Sequence, residues 1–169
     1  VSAVKKADTV IICAKPEKVT IILNEICDDL DGKLVISVAA GVTTRKILAT
    51  LNKDIALVRA MPNTPAFINN AMTGIFATKG VSLDQRQAAQ KILASIGKTR
   101  WFKSEEDLNL VTALSGSGPA YFFLLMEQMI EAGIAEGLSP EIARELVVET
   151  ALGSAKMASM SIDNPKILK

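Results

Sequence analysis

The sequence predicts an α/β chain whose first part builds a mostly parallel sheet and whose remainder is helical throughout. Three observations carry that expectation. Apolar runs of strand length, Asp8–Ala14, Leu34–Val38 and Ile55–Arg59, alternate with segments of helical spacing. That alternation requires crossover connections, which belong to parallel pairing. From Ser104 onward the pattern changes to helix alone, and a glycine-rich G-x-G-x-x-G turn occurs nowhere.

Asp8–Ala14 is a continuous apolar run, as expected of a strand covered on both faces. Lys15-Pro16 ends it. Glu17–Leu30 then places Val19, Ile22, Leu23, Ile26 and Leu30 at helical spacing, and Asp31-Gly32 makes the turn. Leu34–Val38 is the second strand, Thr43–Leu51 a short helix and Ile55–Arg59 the third strand. Met72–Thr78 reads as a further strand, antiparallel at the edge. Ser82-Leu83-Asp84-Gln85 has the form of a capped helix start, with Gly97 at that helix's end and Trp101-Phe102 as a short last strand. Helices are expected over Ser104–Leu114, Pro119–Leu138 and Pro140–Ser159, the last capped by Ser139 with Pro140 in its first turn. The Ser115-Gly116-Ser117-Gly118 stretch before Pro119 reads as a tight turn with free amide N–H groups.

These elements make the C-terminal half of a Rossmann-like, doubly wound domain over residues 1–103, followed by an all-α domain over 104–169. A complete domain of that kind would open with the glycine-rich turn and an acidic or basic residue about 20 positions on. The pattern lacks that first strand, turn and helix.

Composition removes several classes of function. Hydrophobic residues make up 49 % of the 169, and 19 Lys and Arg face 18 Asp and Glu for a net charge of +1. No basic cluster stands out, so nucleic acid is not an expected partner. Glu127 and Glu131 interrupt the apolar Tyr121–Ala135 run, and no signal peptide is evident, so a soluble, cytoplasmic protein is expected without a membrane partner. The two cysteines, Cys13 and Cys27, fall in a strand and a helix and read as buried thiols suited to a reducing compartment. With no histidine, a metal site is not expected, and acid–base chemistry must use another group.

Four stretches carry a more specific signal: Ala14-Lys15-Pro16, Val35-Ile36-Ser37-Val38-Ala39-Ala40-Gly41-Val42-Thr43, Val58-Arg59-Ala60-Met61-Pro62-Asn63-Thr64-Pro65-Ala66 and Leu114-Ser115-Gly116-Ser117-Gly118-Pro119-Ala120-Tyr121. In this order and spacing they resemble the pyrroline-5-carboxylate reductase family, from about Ala7 to Lys169. The resemblance implies reduction of a cyclic imine to L-proline by NADPH or NADH. It also implies a homodimer through the helical part, with further assembly into rings. Asn164-Pro165-Lys166-Ile167-Leu168-Lys169 resembles the segment just before the family's Ser-Pro-Gly-Gly-Thr-Thr loop, which holds the substrate carboxylate. The 169 residues therefore read as a central portion, expected to show no turnover alone.

Hydride transfer to an imine asks for positioning and a dry site, so no catalytic side chain is assigned. In doubly wound sheets the ligand lies beyond the carboxyl ends of the strands. There the resemblance places cofactor contacts at Cys13, Ala14, Lys15, Pro16, Val38, Ala39, Ala40, Pro62, Asn63 and Glu105, and substrate contacts at Thr112, Ser115 and Ser117. On the residues alone each has a plainer reading. Lys15 is equally a surface lysine before a helix, and Val38-Ala39-Ala40 equally a tight strand exit. Asn63 either reaches the nicotinamide or bonds its own loop's backbone. Glu105 is equally a first-turn helix acid. The serines and glycines around Ser117 serve either an anion or a hinge. Two other functions compete: a related dehydrogenase of small hydroxy acids, and a non-catalytic dimerising fragment. The first calls for a Lys or His on the later helices, where Lys156 is the only lysine between Ser104 and Ala158.

Overall fold

A computed structural model describes residues 2–168; Val1 and Lys169, the outer limits of the two expected domains, lie outside the described residues. The chain divides into two compact units, Val1–Pro119 and Ala120–Lys169.

The first unit is a five-stranded sheet with helices on both faces. After a single turn, α1 (Ser2–Lys5), come β1 (Thr9–Ile12), α2 (Pro16–Ile26), β2 (Leu34–Ser37), α3 (Thr44–Leu51) and β3 (Ala56–Met61). A 3-10 turn over Thr64–Ile68 leads to β4 (Ala71–Ala77), α4 (Leu83–Ala94) and β5 (Gly97–Trp101). The strands lie in sequence order: β1, β2 and β3 are parallel, β4 runs antiparallel to β3, and β5 runs parallel to β4.

Alternation along the strands sorts the core. Val35 and Leu57 face α2 and α3, meeting Val19, Leu23, Ile26, Ile47 and Leu51. Leu34, Ile36, Val58 and Ala60 face the other way, onto Ala89 and Leu93 of α4. Side chains such as Ile36 and Leu57 are fully buried, and each contributes roughly 1.5–3 kcal/mol relative to exposure. The helix starts follow the expected chemistry. Thr43 caps α3 through Lys46 N–H, and Ser82 and Gln85 form a complete capping box on α4.

Several expectations are corrected. β4 pairs with β3 as expected but is not the edge, because β5 lies beyond it. β5 starts at Gly97, where a helix end was expected. Gly97 takes φ +145° with Ala71 so close that an added Cβ would stand 2.2 Å from its carbonyl oxygen. Only glycine fits there. Cys13 is exposed rather than buried, since β1 ends one residue before it, and Ile11 of β1 is 42 % exposed. Apart from these corrections, the compact sheet unit extends to Pro119. α5 (Asp107–Val111) packs on β4 at Gly74, where a Cβ would meet Val111 Cγ1 at 2.8 Å. A π-helical turn, Thr112–Gly116, follows it.

The free-amide turn expected before Pro119 is absent. The backbone stays helical through it, and Ser117 N–H bonds the Thr112 carbonyl at 2.8 Å. The extra residue in this turn has a cause. Proline offers no N–H to the carbonyl four residues back and its ring collides with that carbonyl, so the ladder widens ahead of Pro119.

The second unit is helical. It holds most of α6 (Gly118–Ala135), then α7 (Pro140–Met160) and α8 (Pro165–Leu168). α6 ends in a Schellman motif: Leu138 N–H bonds the Gly133 carbonyl and Gly137 N–H the Ile134 carbonyl, with Gly137 at φ +102°. Ser139 caps α7 through Ile142 N–H. α7 approaches α6 at Gly133, where a Cβ would stand 3.4 Å from Ala143 Cβ. Most large apolar side chains of this unit are exposed, among them Tyr121, Phe122, Phe123, Leu124, Leu125, Leu146 and Leu152. Among the described residues, the helical run Asp107–Ala135 is long and apolar enough to cross a membrane by length and composition.

Candidate functional site

The parallel register pairs Ile12 with Ser37 and Ser37 with Arg59, so β1, β2 and β3 end at one edge. The residues that leave those ends are Cys13-Ala14-Lys15-Pro16, Val38-Ala39-Ala40 and Met61-Pro62-Asn63. All the expected cofactor positions except Glu105 therefore share one sheet edge. The first two exits are tied together, as Val38 N–H bonds the Ile12 carbonyl at 3.2 Å. Lys15 occupies the N-cap of α2 without a side-chain cap, and Pro16 stands in the first turn. The helix N-terminus at this edge thus presents N–H groups and partial positive charge. Ala39 is buried and Ala40 exposed, and Gly41 turns the chain at φ +72° with nothing within 4 Å of an added Cβ. The space around the Gly41 α-carbon is open.

Asn63 is engaged by the protein at both ends of its amide. Its Oδ1 accepts from Met72 N–H at 3.0 Å, and its Nδ2 donates to the Ser115 carbonyl at 3.1 Å and to Ser115 Oγ at 3.3 Å. The Ser115 carbonyl is the one that Pro119, four residues on, leaves without a helical donor. Asn63 supplies that donor across the fold. Ser115 Oγ in turn donates to the Met72 carbonyl at 3.2 Å.

Glu105 is engaged as well. Its Oε1 accepts from Thr44 N–H at 2.7 Å and Arg59 Nη1 at 2.8 Å, and its Oε2 accepts from the Thr44 hydroxyl at 2.6 Å. The Arg59 side chain is 5 % exposed and that of Glu105 19 %. Burial pushes the Glu105 carboxyl up, but the Thr44 hydroxyl, the Thr44 N–H and the Arg59 guanidinium outweigh it and hold it below the usual carboxylate range. Arg59 and Thr44 were not singled out from the sequence. The available signal was a charge inside the apolar run Ile55–Ala60, which demands a buried partner.

Thr112 and Ser115 lie on the π-turn, and Ser117 directly follows it. The Thr112 hydroxyl donates to the Leu108 carbonyl at 2.7 Å. The Ser117 hydroxyl has no hydrogen-bond partner among the described residues. Beside Ser115 opens an apolar cavity of about 440 Å³, lined by Met72, Phe102, Leu110, Val111 and Leu114 among others.

Comparison with known proteins bears directly on this arrangement. The family described as pyrroline-5-carboxylate reductase dimerisation matches residues 105–169, and the family described as NADP oxidoreductase coenzyme F420-dependent matches residues 1–41. A pyrroline-5-carboxylate reductase of Haemophilus influenzae is 41 % identical over 167 residues, covering 96 % of this chain and 59 % of that protein. The solved pyrroline-5-carboxylate reductase of Coxiella burnetii superposes with a TM-score of 0.90 at 40 % identity, covering 99 % of this chain and 63 % of that one. Over nearly all of its length this chain is similar to pyrroline-5-carboxylate reductases. A Plasmodium falciparum pyrroline carboxylate reductase, solved with NADP bound, superposes at TM-score 0.93 and 30 % identity, covering 99 % of this chain and 63 % of that one. This chain thus spans about three fifths of the length of the reductases it matches. Its α/β fold with a helical C-terminal region is that of the reductase family.

Proposed function

We propose that the full-length protein carrying this segment reduces 1-pyrroline-5-carboxylate to L-proline with NADPH or NADH, the last step of proline biosynthesis. The observation that carries this reading is the shared edge of β1, β2 and β3, with its open α2 N-terminus and the open space around the Gly41 α-carbon, in a chain similar to these reductases. The nicotinamide supplies the hydride when bound. Cys13, Ala14, Lys15 and Pro16 line its approach from β1, Val38, Ala39 and Ala40 form the wall at β2, and Pro62 stiffens the loop after β3. Asn63 and Glu105 act beside this crevice by holding its walls, because their polar atoms are already bonded to Met72, Ser115, Thr44 and Arg59. On the substrate side, Ser117 offers an unengaged hydroxyl to orient the ring nitrogen, while Thr112 and Ser115 set the shape of the π-turn that presents it. Since this chemistry needs alignment and exclusion of water more than a strong acid, the lack of histidine is no obstacle.

The working form is a soluble, cytoplasmic homodimer, extending to larger rings. The exposed apolar side chains of α6 and α7 support this, since so large a patch on a soluble protein marks an interaction surface. The 105–169 match to a dimerisation family supports a second copy as its cover. The activity is tested by following NADPH consumption by the full-length protein with and without the cyclic imine. Imine-dependent consumption with stoichiometric proline is expected; NADPH oxidation indifferent to the imine would overturn the assignment.

A further inference from the structure

We propose that Glu105, Arg59 and Thr44 form a positioning clasp that holds two walls of the strand-end crevice at their working separation, so that the clasp governs cofactor affinity rather than the transfer step. The inference rests on the reading of that crevice as the nicotinamide nucleotide site.

Arg59 poses the first question. It lies in β3, buried to 4 % exposure, two residues before the strand gives way to Pro62 and Asn63. A guanidinium so placed must be paired, because an unpaired buried charge is among the costliest defects a fold can carry. The strands beside it bring no acid, since its register partners are Ser37 and Phe76. Its partner comes instead from 46 residues away, in the segment between β5 and α5. The same carboxylate takes both the N–H and the hydroxyl of Thr44, 61 residues distant.

Thr44 is the first residue of α3, immediately after the loop that carries Val38, Ala39 and Ala40. One carboxylate therefore fixes where the β2 exit loop ends and where the β3 exit loop begins. These are two of the three walls proposed for the cofactor. Three of the acceptor positions of Glu105 face protein donors, so its effect on a bound nucleotide passes through those walls. Packing alone does not explain the arrangement: an apolar pair at 59 and 105 would fill space without holding the α3 N-terminus by two directed bonds.

The test uses the full-length protein, with direct NADPH titration beside steady-state kinetics. Glu105→Ala is expected to weaken NADPH binding by roughly tenfold or more. The turnover rate at saturating NADPH and the KM for the imine should stay within about threefold of wild type, below the tenfold step that one lost contact of this kind makes. Thr44→Val, which loses one bond and keeps the ion pair, should weaken NADPH binding by a smaller factor, and Thr44→Ser should restore it. If Glu105→Ala does not fold, the Thr44 pair carries the test unaided. Unchanged NADPH affinity in Thr44→Val, or in a folded Glu105→Ala, overturns the clasp. So does a fall in turnover at saturating cofactor without a loss of affinity. Failure of the wild-type protein to bind NADPH would instead overturn the cofactor reading beneath it.

Discussion

Replacing Asn63 by alanine removes the donor that serves the carbonyl orphaned by Pro119, and the cost follows from the bonds lost. The acceptor bond from Met72 N–H and the donor bond to the Ser115 carbonyl are of ordinary length, at 3.0 and 3.1 Å. The third, to Ser115 Oγ at 3.3 Å, adds little, because that hydroxyl keeps the Met72 carbonyl. Two net hydrogen bonds at about 1 kcal/mol each, in a half-buried place that water can partly reach, give a loss of about 2 kcal/mol. For a unit of this size that lowers the melting temperature by about 6–10 °C. Trp101, the only tryptophan, lies in β5 of the same sheet, and its indole N–H bonds Gln90 Oε1 at 2.6 Å, so its fluorescence reports the unfolding. Two further variants sharpen the argument. Asn63→Asp keeps the acceptor for Met72 but turns an oxygen toward the Ser115 carbonyl, and should cost at least as much as alanine. Pro119→Ala restores an N–H four residues beyond Ser115. Combined with Asn63→Ala it should recover part of the loss, a coupling of about 0.5–1 kcal/mol in a double-mutant cycle. An Asn63→Ala protein within about 0.5 kcal/mol of wild type, half the net value of a single hydrogen bond, would refute this reasoning, as would strict additivity with Pro119→Ala.

Three other outcomes are expected. Gly74→Ala drives a methyl against Val111 and Leu108, so α5 must shift off β4; urea unfolding should show a loss of about 1–3 kcal/mol. Glu105 is held below the usual carboxylate range, so its contribution is present above the unfolded value of about 4.3 and is lost as pH falls below it through the folded value. The drop in urea midpoint between pH 6 and pH 3 should therefore be shallower in Glu105→Gln than in wild type. Leu125→Glu, in the exposed face of α6, should convert the proposed dimer to monomer by light scattering without changing helical content.

Sequence reasoning reached the backbone order of the sheet unit because its signals are local. Apolar runs at Leu34 and Ile55, helical spacing from Val19 to Leu30, and the Ser82-Gln85 capping box each express a preference that tertiary packing reinforces. Carboxyl-edge placement of residues 13–16, 38–40 and 62–63 followed from parallel crossovers alone. Non-local partners were out of reach. Asn63 looked equally suited to a ligand or a loop, and its actual bonds depend on a carbonyl that Pro119 frees 52 residues away. The same proline, read as a helix start, concealed the π-turn in an unbroken helix. Gly97 read as a helix end because its squeeze against Ala71 depends on a strand pairing that no short window contains. Cys13 read as buried because an apolar run does not say where a strand stops.

The most direct test of the account is a hydrogen-exchange footprint of NADPH on the full-length protein. The account predicts slowed exchange at the three strand exits together, at Ala14, across Val38–Gly41, and at Met61 and Asn63, with the outer face of α4 unaffected. Slowed exchange that spares all three exits would contradict it, however tightly the nucleotide bound.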